Sequence, residues 1–326
     1  MNKSALMISL FVLASTTFAA DEYKVLKRIP LGGDGSWDYL TMDSAAHCVY
    51  IGRSDRVMVV DVDAEKLVGE VGGMNGVHGA AIVSELNKGF VTSGKDNTVR
   101  VFDLTTLKET SQIKATNKPD AIIYDPLSKK VFAFNNGGTT TTVIDPAEGK
   151  AVKELDLGGA PEFAVSDLKG KVFVNLEDKS EIAVIDAQKL TVEAHWSLEP
   201  GKKPTGLSMD LEHRRLFAGC NASKTLVVVN ADSGHVLTSA PIGAGVDATA
   251  FDPDSQNAFA SNGDGTLTVV HEENPDTFTV IQIVKTQAGS KTMTFDPKTH
   301  RIYLGAAEKN GRTVTPGTFA LIVVGK

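Results

Sequence analysis

Cysteine is scarce in this chain: 326 residues hold only Cys48 and Cys220. The two are far apart and neither belongs to a CxxC pair, which excludes a disulfide framework and offers no redox or zinc signature. Two thiols packed as small apolar side chains are expected instead. Surplus basic charge is also lacking. Against 33 Lys and Arg stand 40 Asp and Glu, a formal net charge of −7. Phosphate neutralisation needs the opposite balance, so binding to nucleic acid or to anionic membrane is disfavoured. There is no HExxH, no glycine-rich phosphate loop between a strand and a helix, and no spacing that argues a Ser-His-Asp triad. Long apolar runs are missing as well, apart from Ala5 to Leu13 near the start. That run is too short to span a bilayer. Lys3 precedes it, and Thr17 and Ala19 are small residues suited to a cut after Ala19. Residues 1–19 therefore read as a secretory signal peptide. No cysteine follows for a lipid anchor, so residues 20–326 are expected as a single periplasmic or secreted domain, monomeric and without a membrane anchor.

What is present is a repeat. Its clearest copy starts at Pro119. Ala121 to Tyr124 alternates as a first strand, and Asp125-Pro126 opens a turn. Val131 to Phe134 is the second strand, Thr141 to Ile144 the third, closed by Asp145-Pro146, and Ala151 to Leu157 the fourth, before Gly158-Gly159. The other copies begin near Trp37, Val77, Pro161, Pro204, Val246 and Ser290, a period of about forty to forty-four residues. That period, with four strands per copy, is the signature of propeller blades. Asp43, Asp125, Asp167, Asp210, Asp252 and Asp296 recur after the first strands, and Asp61, Asp103, Asp145, Asp186 and Asn230 after the third. Asp and Asn side chains accept from their own backbone two residues on and so favour tight turns. The second copy departs, with Val83-Ser84-Glu85 at its first turn. The seventh copy supplies three strands (Thr292 to Phe295, Arg301 to Leu304, Phe319 to Val324), and Tyr23 to Leu31 reads as a fourth. Pairing that N-terminal strand with the last blade closes the ring and removes two open edges. The expected fold is an all-β, seven-bladed propeller.

Val49-Tyr50-Ile51, Val131 to Asn135, Val172 to Asn175, the Val-Ile-Asp endings at Asp145 and Asp186, and the glycine-then-proline entries at Pro161 and Pro204 resemble YVTN-type repeats. With the leader and the closing Pro316-Gly317-Thr318-Phe319 run, the chain resembles YncE-like exported propellers over nearly all of its length after residue 19. The resemblance implies fold and export more than activity, because one fold hosts many functions. Related groups imply two further readings: a lactonase-like hydrolase using ring carboxylates and a histidine, and a DNA-binding propeller, which the acidic charge disfavours. Ser93 to Asp103 is similar to a WD repeat, a likeness of blade geometry since other copies lack the signature. Ser261 to Thr266 nearly matches a sialidase Asp-box but lacks its spacing and Trp. No tryptophan-docking repeat of quinoprotein dehydrogenases occurs.

In a propeller the first strand of each blade lines the channel, and the loops entering it open on the same face as the loops between second and third strands. Binding groups concentrate on such a concave face. The second position of each copy gives a ring of Asp38, His78, Asp120, Glu162, Thr205, Asp247 and Lys291. Four carboxylates and an imidazole suit a divalent cation, for which His78, Asp120 and Glu162 are the candidate ligands. Crowded carboxylates also raise one another's pKa. The plain alternative is a solvated rim partly neutralised by Lys291. The loops after the second strands add Arg53, Asn135, Asn175, Asn221 and Asn262, where Asn equally serves turns. Ala306 to Gly317 is the longest such loop and carries Lys309 and Arg312; lid, anion contact and plain insertion all fit it. Asn221-Ala222-Ser223 is a glycosylation sequon that matters only in a eukaryotic secretory route. His47, His213, His235, His271 and His300 fall near turns or strand ends, none at ligand spacing from another, and are expected on the surface. The leading expectation is a non-enzymatic scaffold that binds a partner, small ligand or metal at the channel face.

Overall fold

The structure, a computed structural model, describes residues 22–311 and 313–326; the leader expected over residues 1–19, and Arg312, lie outside the described residues. Seven four-stranded antiparallel sheets form the blades. The first contains Trp37–Asp43, Cys48–Arg53, Arg56–Asp61 and Lys66–Val71. The following first strands are Val77–Val83, Pro119–Asp125, Pro161–Ser166, Pro204–Asp210, Val246–Asp252 and Met293–Asp296. Each packs against the first strand of the next blade, and the seventh packs against the first, so the ring is closed. Among the described residues the only helix is a single 3-10 turn, Ser84–Leu86, and no helix is long and apolar enough to cross a membrane.

The closure expected from the sequence is the one observed. Lys24–Pro30 pairs antiparallel with Ala320–Gly325 and is the outermost strand of blade 7, beyond Arg301–Ala306 and Met293–Asp296. Tyr23 fastens it to blade 6: its N–H donates to Gln282 Oε1 at 3.0 Å, Gln282 Nε2 donates back to its carbonyl at 2.7 Å, and its ring meets Phe259 edge-on.

Burial follows strand position. Second and third strands such as Lys130–Asn135 and Thr140–Asp145 are buried almost throughout, because neighbouring blades cover both of their faces. Fourth strands such as Thr191–Ser197 alternate between exposed and half-buried, as one-sided strands must. The turns behave as their Asp residues predict. Asp125 accepts from Ser128 N at 2.7 Å, Asp210 from Glu212 N at 2.9 Å, and Asp186 from Gln188 N at 3.0 Å. In the divergent second blade a single 3-10 turn stands where the Asp is missing, and Asn87 after it takes the left-handed conformation (φ 53°) that His47, Lys129 and Gln256 take at the same turn of other blades.

Two features position the channel-facing residues. Pairing between first and second strands shifts register at the same place in all six blades that begin with a full first strand, for example between Trp37 and Leu40, Val77 and Ala80, and Pro119 and Ile122. The unpaired residues are those of the ring position, and a bulge there re-aims a side chain. The fifth residue of each second strand then meets the next blade's entry. Thr92 donates to the Asp120 carbonyl at 2.5 Å, Asn175 Nδ2 to the Thr205 carbonyl at 3.1 Å, and Ser261 to the Lys291 carbonyl. In blade 1 this residue is Gly52, where a Cβ would lie 1.8 Å from the His78 carbonyl oxygen, so only glycine fits.

Both cysteines are free. Cys220 is buried as expected, whereas Cys48, at the start of a second strand, is only half-buried.

Candidate functional site

The channel mouth gathers most of the ring residues into contacts. His78 lies between its two neighbours: Nδ1 is 2.6 Å from Asp38 Oδ2 and 3.3 Å from Asp120 Oδ1. Lys118, in the loop entering blade 3, reaches Asp120 Oδ2 at 3.2 Å. Lys291 pairs with Asp247 at 2.7 Å. Glu162 is held differently. Asn136 Nδ2 donates to its Oε1 at 2.8 Å, and the Tyr39 hydroxyl donates to its Oε2 at 3.4 Å.

Tyr39 belongs to blade 1 and Glu162 to blade 4, so that contact crosses the channel. The Tyr39 ring also packs on Phe163, with centroids 4.5 Å apart. This aromatic pair divides the channel. On one side stand the charged ring residues. On the other a cavity of about 590 Å³ is lined by first-strand residues of all seven blades, among them Met42, Ile82, Ile123, Leu207, Thr249 and Phe295.

Electrostatics at the mouth are those of carboxylates withdrawn from water. Burial, then Asp120, Asp247, Glu177 and Asp38, pushes the pKa of Glu162 up to about 8. Burial raises Asp247 to about 6 against the opposing pull of Lys291. Asp120 is raised mainly by burial, with His78 working the other way. Burial alone would lower His78, but its hydrogen bond to Asp38 and the charges of Asp120 and Asp38 outweigh it, and its pKa is raised. The Tyr39 hydroxyl is pushed well up by burial and then by Asp120, Glu162, Asp38 and Asp247 together. Four carboxylates from four blades thus act on one buried phenol.

Of the proposed metal ligands, the structure brings His78 and Asp120 together with Asp38, their ligand atoms all within 4.8 Å of one another. Glu162 stands outside that group, on Asn136 and Tyr39. Thr205 is not free to join a ligand set: it is buried, and its hydroxyl donates to the Val246 carbonyl at 2.9 Å across the seam between blades 5 and 6.

The loop residues expected beside the ring are inside the blades. Arg53 is 0% exposed. Its guanidinium donates to the carbonyls of Ser36, Asp34 and Gly35 at 3.0, 2.8 and 3.1 Å, and it lies over the Phe319 ring at 3.9 Å. It holds the entry to blade 1 against blade 7. Asn135, Asn175 and Asn262 are equally buried. Asn135 donates to Thr142 Oγ1 and Glu154 Oε1, both at 3.1 Å, Asn262 to Thr266 and Thr268, and Asn175 to backbone of blade 5. Being last or next to last in a strand had placed these residues beside the mouth; side-chain direction turned them inward. Asn221 is half-buried, with its N–H on the Lys203 carbonyl at 2.9 Å. In the long loop, Lys309–Asn310 pairs with Thr313–Val314 as a small hairpin, and the Lys309 ammonium sits over the Trp37 ring, 5.1 Å from its centroid.

The remaining histidines also depart from the expected surface. His47 is 7% exposed and pairs with Asp63 at 2.9 Å. His271 and His300 are half-buried on Asn257 and Asp252. His213 lies on the opposite face of the ring from the mouth, between Asp210 and Glu272. Of these five, His235 is exposed as expected; His195, the seventh histidine, is exposed as well and pairs with Glu181 at 3.3 Å. Lys118 and Tyr39 escaped sequence reasoning because each is one or two residues off the aligned ring position, and Asn136 because it lies one residue past the loop candidate Asn135.

No family model and no curated protein matches the chain. Among solved structures it is similar to a chain of Kuenenia stuttgartiensis hydrazine synthase, with a TM-score of 0.52 at 15% identity over 79% of this chain and 97% of that one. At that identity the likeness is one of fold, and the shared feature is the propeller.

Proposed function

We propose that this protein is an exported, non-enzymatic propeller that binds a small cationic ligand at its channel mouth. The observation that carries this reading is the cluster of carboxylates at the mouth, Asp38 and Asp120 about His78, Asp247 on Lys291, and Glu162 on the Tyr39 hydroxyl at 3.4 Å, drawn from four different blades. Carboxylates crowded and desolvated in this way gain from any cation that enters. An organic ammonium suits the mouth better than a metal ion. The three groups with ligand geometry are already closed by the short His78–Asp38 hydrogen bond at 2.6 Å, whereas Glu162 beside the Tyr39–Phe163 pair offers an acid that an incoming ammonium ionises, together with aromatic faces, which suits an amine. The sequence of residues 1–19 and the likeness of the repeats to YVTN-type exported propellers support export.

Calorimetric titration with 1,4-diaminobutane tests the proposal. Binding is expected, weakening with salt and falling at least tenfold in Glu162→Gln. Absence of heat, binding indifferent to Glu162→Gln, or catalytic turnover of a lactone by the purified protein would overturn it.

A further inference from the structure

On the opposite face, at the seam between blades 5 and 6, a second histidine stands between two carboxylates. Asp210 ends the first strand of blade 5, His213 lies in the turn that follows, and Glu272 lies near the end of Thr266–Asn274, the third strand of blade 6. His213 Nδ1 is 2.8 Å from Asp210 Oδ2 and 3.0 Å from Glu272 Oε1. Ligand atoms of the three residues all lie within 4.8 Å of one another.

What separates this cluster from an ordinary ion pair is its lack of hydrogen bonds. The Glu272 side chain is 1% exposed, yet neither of its oxygens has a hydrogen-bond partner among the described residues. The His213 Nδ1 is close to both carboxylates but in hydrogen-bond geometry with neither. Arg215, the nearest guanidinium, donates to the carbonyls of Pro275 and His213 at 2.6 and 2.7 Å and pairs with Asp276 at 3.3 Å. A buried carboxylate left this way costs several kcal/mol unless something satisfies it. Asp210, by contrast, is fixed, accepting from the backbone of Glu212 and His213 at 2.9 and 3.1 Å. Around a tetrahedral ion with bonds of about 2.0–2.2 Å, ligand atoms stand about 3.3 Å apart. The two separations from His213 need open by only a few tenths of an ångström, and the carboxylate oxygens already lie within 4.8 Å of each other.

We propose that Asp210, His213 and Glu272 form a binding site for a divalent transition-metal ion that ties blade 5 to blade 6. One imidazole and two carboxylates select ions of the zinc, cobalt and manganese class over magnesium and calcium, which take oxygen donors. The ion supplies the partner that Glu272 lacks. It leaves the channel mouth untouched, so the site is independent of the ligand proposed there.

Calorimetric titration of the purified protein with Zn²⁺ at pH 7.5, after treatment with EDTA, tests the site. One equivalent is expected to bind and to raise the melting temperature. Affinity should fall at least tenfold in Glu272→Gln and in His213→Asn, and stay unchanged in His78→Asn. Glu272→Gln should fold normally, since it removes a buried carboxyl whose oxygens lack hydrogen-bond geometry with any described residue, and its metal-free melting temperature should equal or exceed that of the parent. Failure to bind, binding unaffected by Glu272→Gln, or binding lost in His78→Asn instead would overturn the proposal.

Discussion

The molecule carries the same three kinds of group twice, on opposite faces. At the mouth, His78 stands between Asp38 and Asp120; at the seam of blades 5 and 6, His213 stands between Asp210 and Glu272. Composition and distances are nearly the same, and hydrogen-bond geometry is not. His78 makes a true bond to Asp38, and Lys118 adds a second cation to Asp120. Glu272 has no such partner. A histidine among carboxylates is thus a self-contained ion pair in one place and an incomplete coordination shell in the other. Residue types alone do not distinguish the two; the satisfaction of each polar atom does.

The sharpest way to break this contrast is to remove each histidine from metal-free protein. His78→Asn leaves Asp38 and Asp120 without their shared cation and should cost about 3 kcal/mol at pH 6, seen as a melting temperature lower by roughly 5–10 °C. The equivalent His213→Asn should cost about 1 kcal/mol or less, because no hydrogen bond is lost. Equal losses would show that the two clusters are alike after all. The His78 effect carries its own pH signature. With its pKa raised in the folded state, its stabilisation is present below about pH 6.5, the unfolded value, and disappears as pH rises through the folded value.

Glu162→Gln should give a comparable change of opposite sign. The folded state keeps this proton up to about pH 8, whereas the unfolded chain releases it near 4.5. Stability therefore declines as pH rises through that window. The glutamine variant escapes the decline and should melt about 5–10 °C above the parent at pH 8.5, with little difference at pH 4.5. Thermal scans at both pH values decide it. Least affected should be Lys291→Met. The lysine side chain is 47% exposed where it pairs with Asp247, so its loss should change stability by no more than about 1 kcal/mol. A larger drop, measured in the same scans, would show that the mouth depends on this pair as heavily as on His78.

Much of the architecture was legible because turn chemistry is local. An Asp that accepts from the backbone two or three residues later announces the turn wherever it stands, and repetition of that signal at Asp125, Asp210 and Asp252 marks out the blades. The ring position was legible for the same reason, since aligning turns aligns strand entries. Side-chain direction was not. Arg53 and Asn135 sit near the right end of their strands, but the two-residue period of a strand decides which way they point, and both turn into the protein. Contacts between blades were equally hidden. Nothing near Asp210 and His213 in the chain names Glu272, and nothing near Tyr39 names Phe163; only closure of the ring brings them together.

The strand that closes blade 7 has a consequence for the order in which the protein can fold. Lys24–Pro30 is made early, but its partner Ala320–Gly325 is made last. Without the latter, Lys24–Pro30 has no partner strand and blade 7 holds only Met293–Asp296 and Arg301–Ala306. Joining Lys24–Pro30 to Ala320–Gly325 brings together residues separated by nearly the whole chain, a step that pays its loop-closure entropy late and sets folding among the slower topologies. Moving the chain break into the Gly72–Gly73 turn between blades 1 and 2, with a linker joining the present ends, would make blade 7 continuous. The rearranged chain would close its ring by the docking of whole blades in place of capturing one strand.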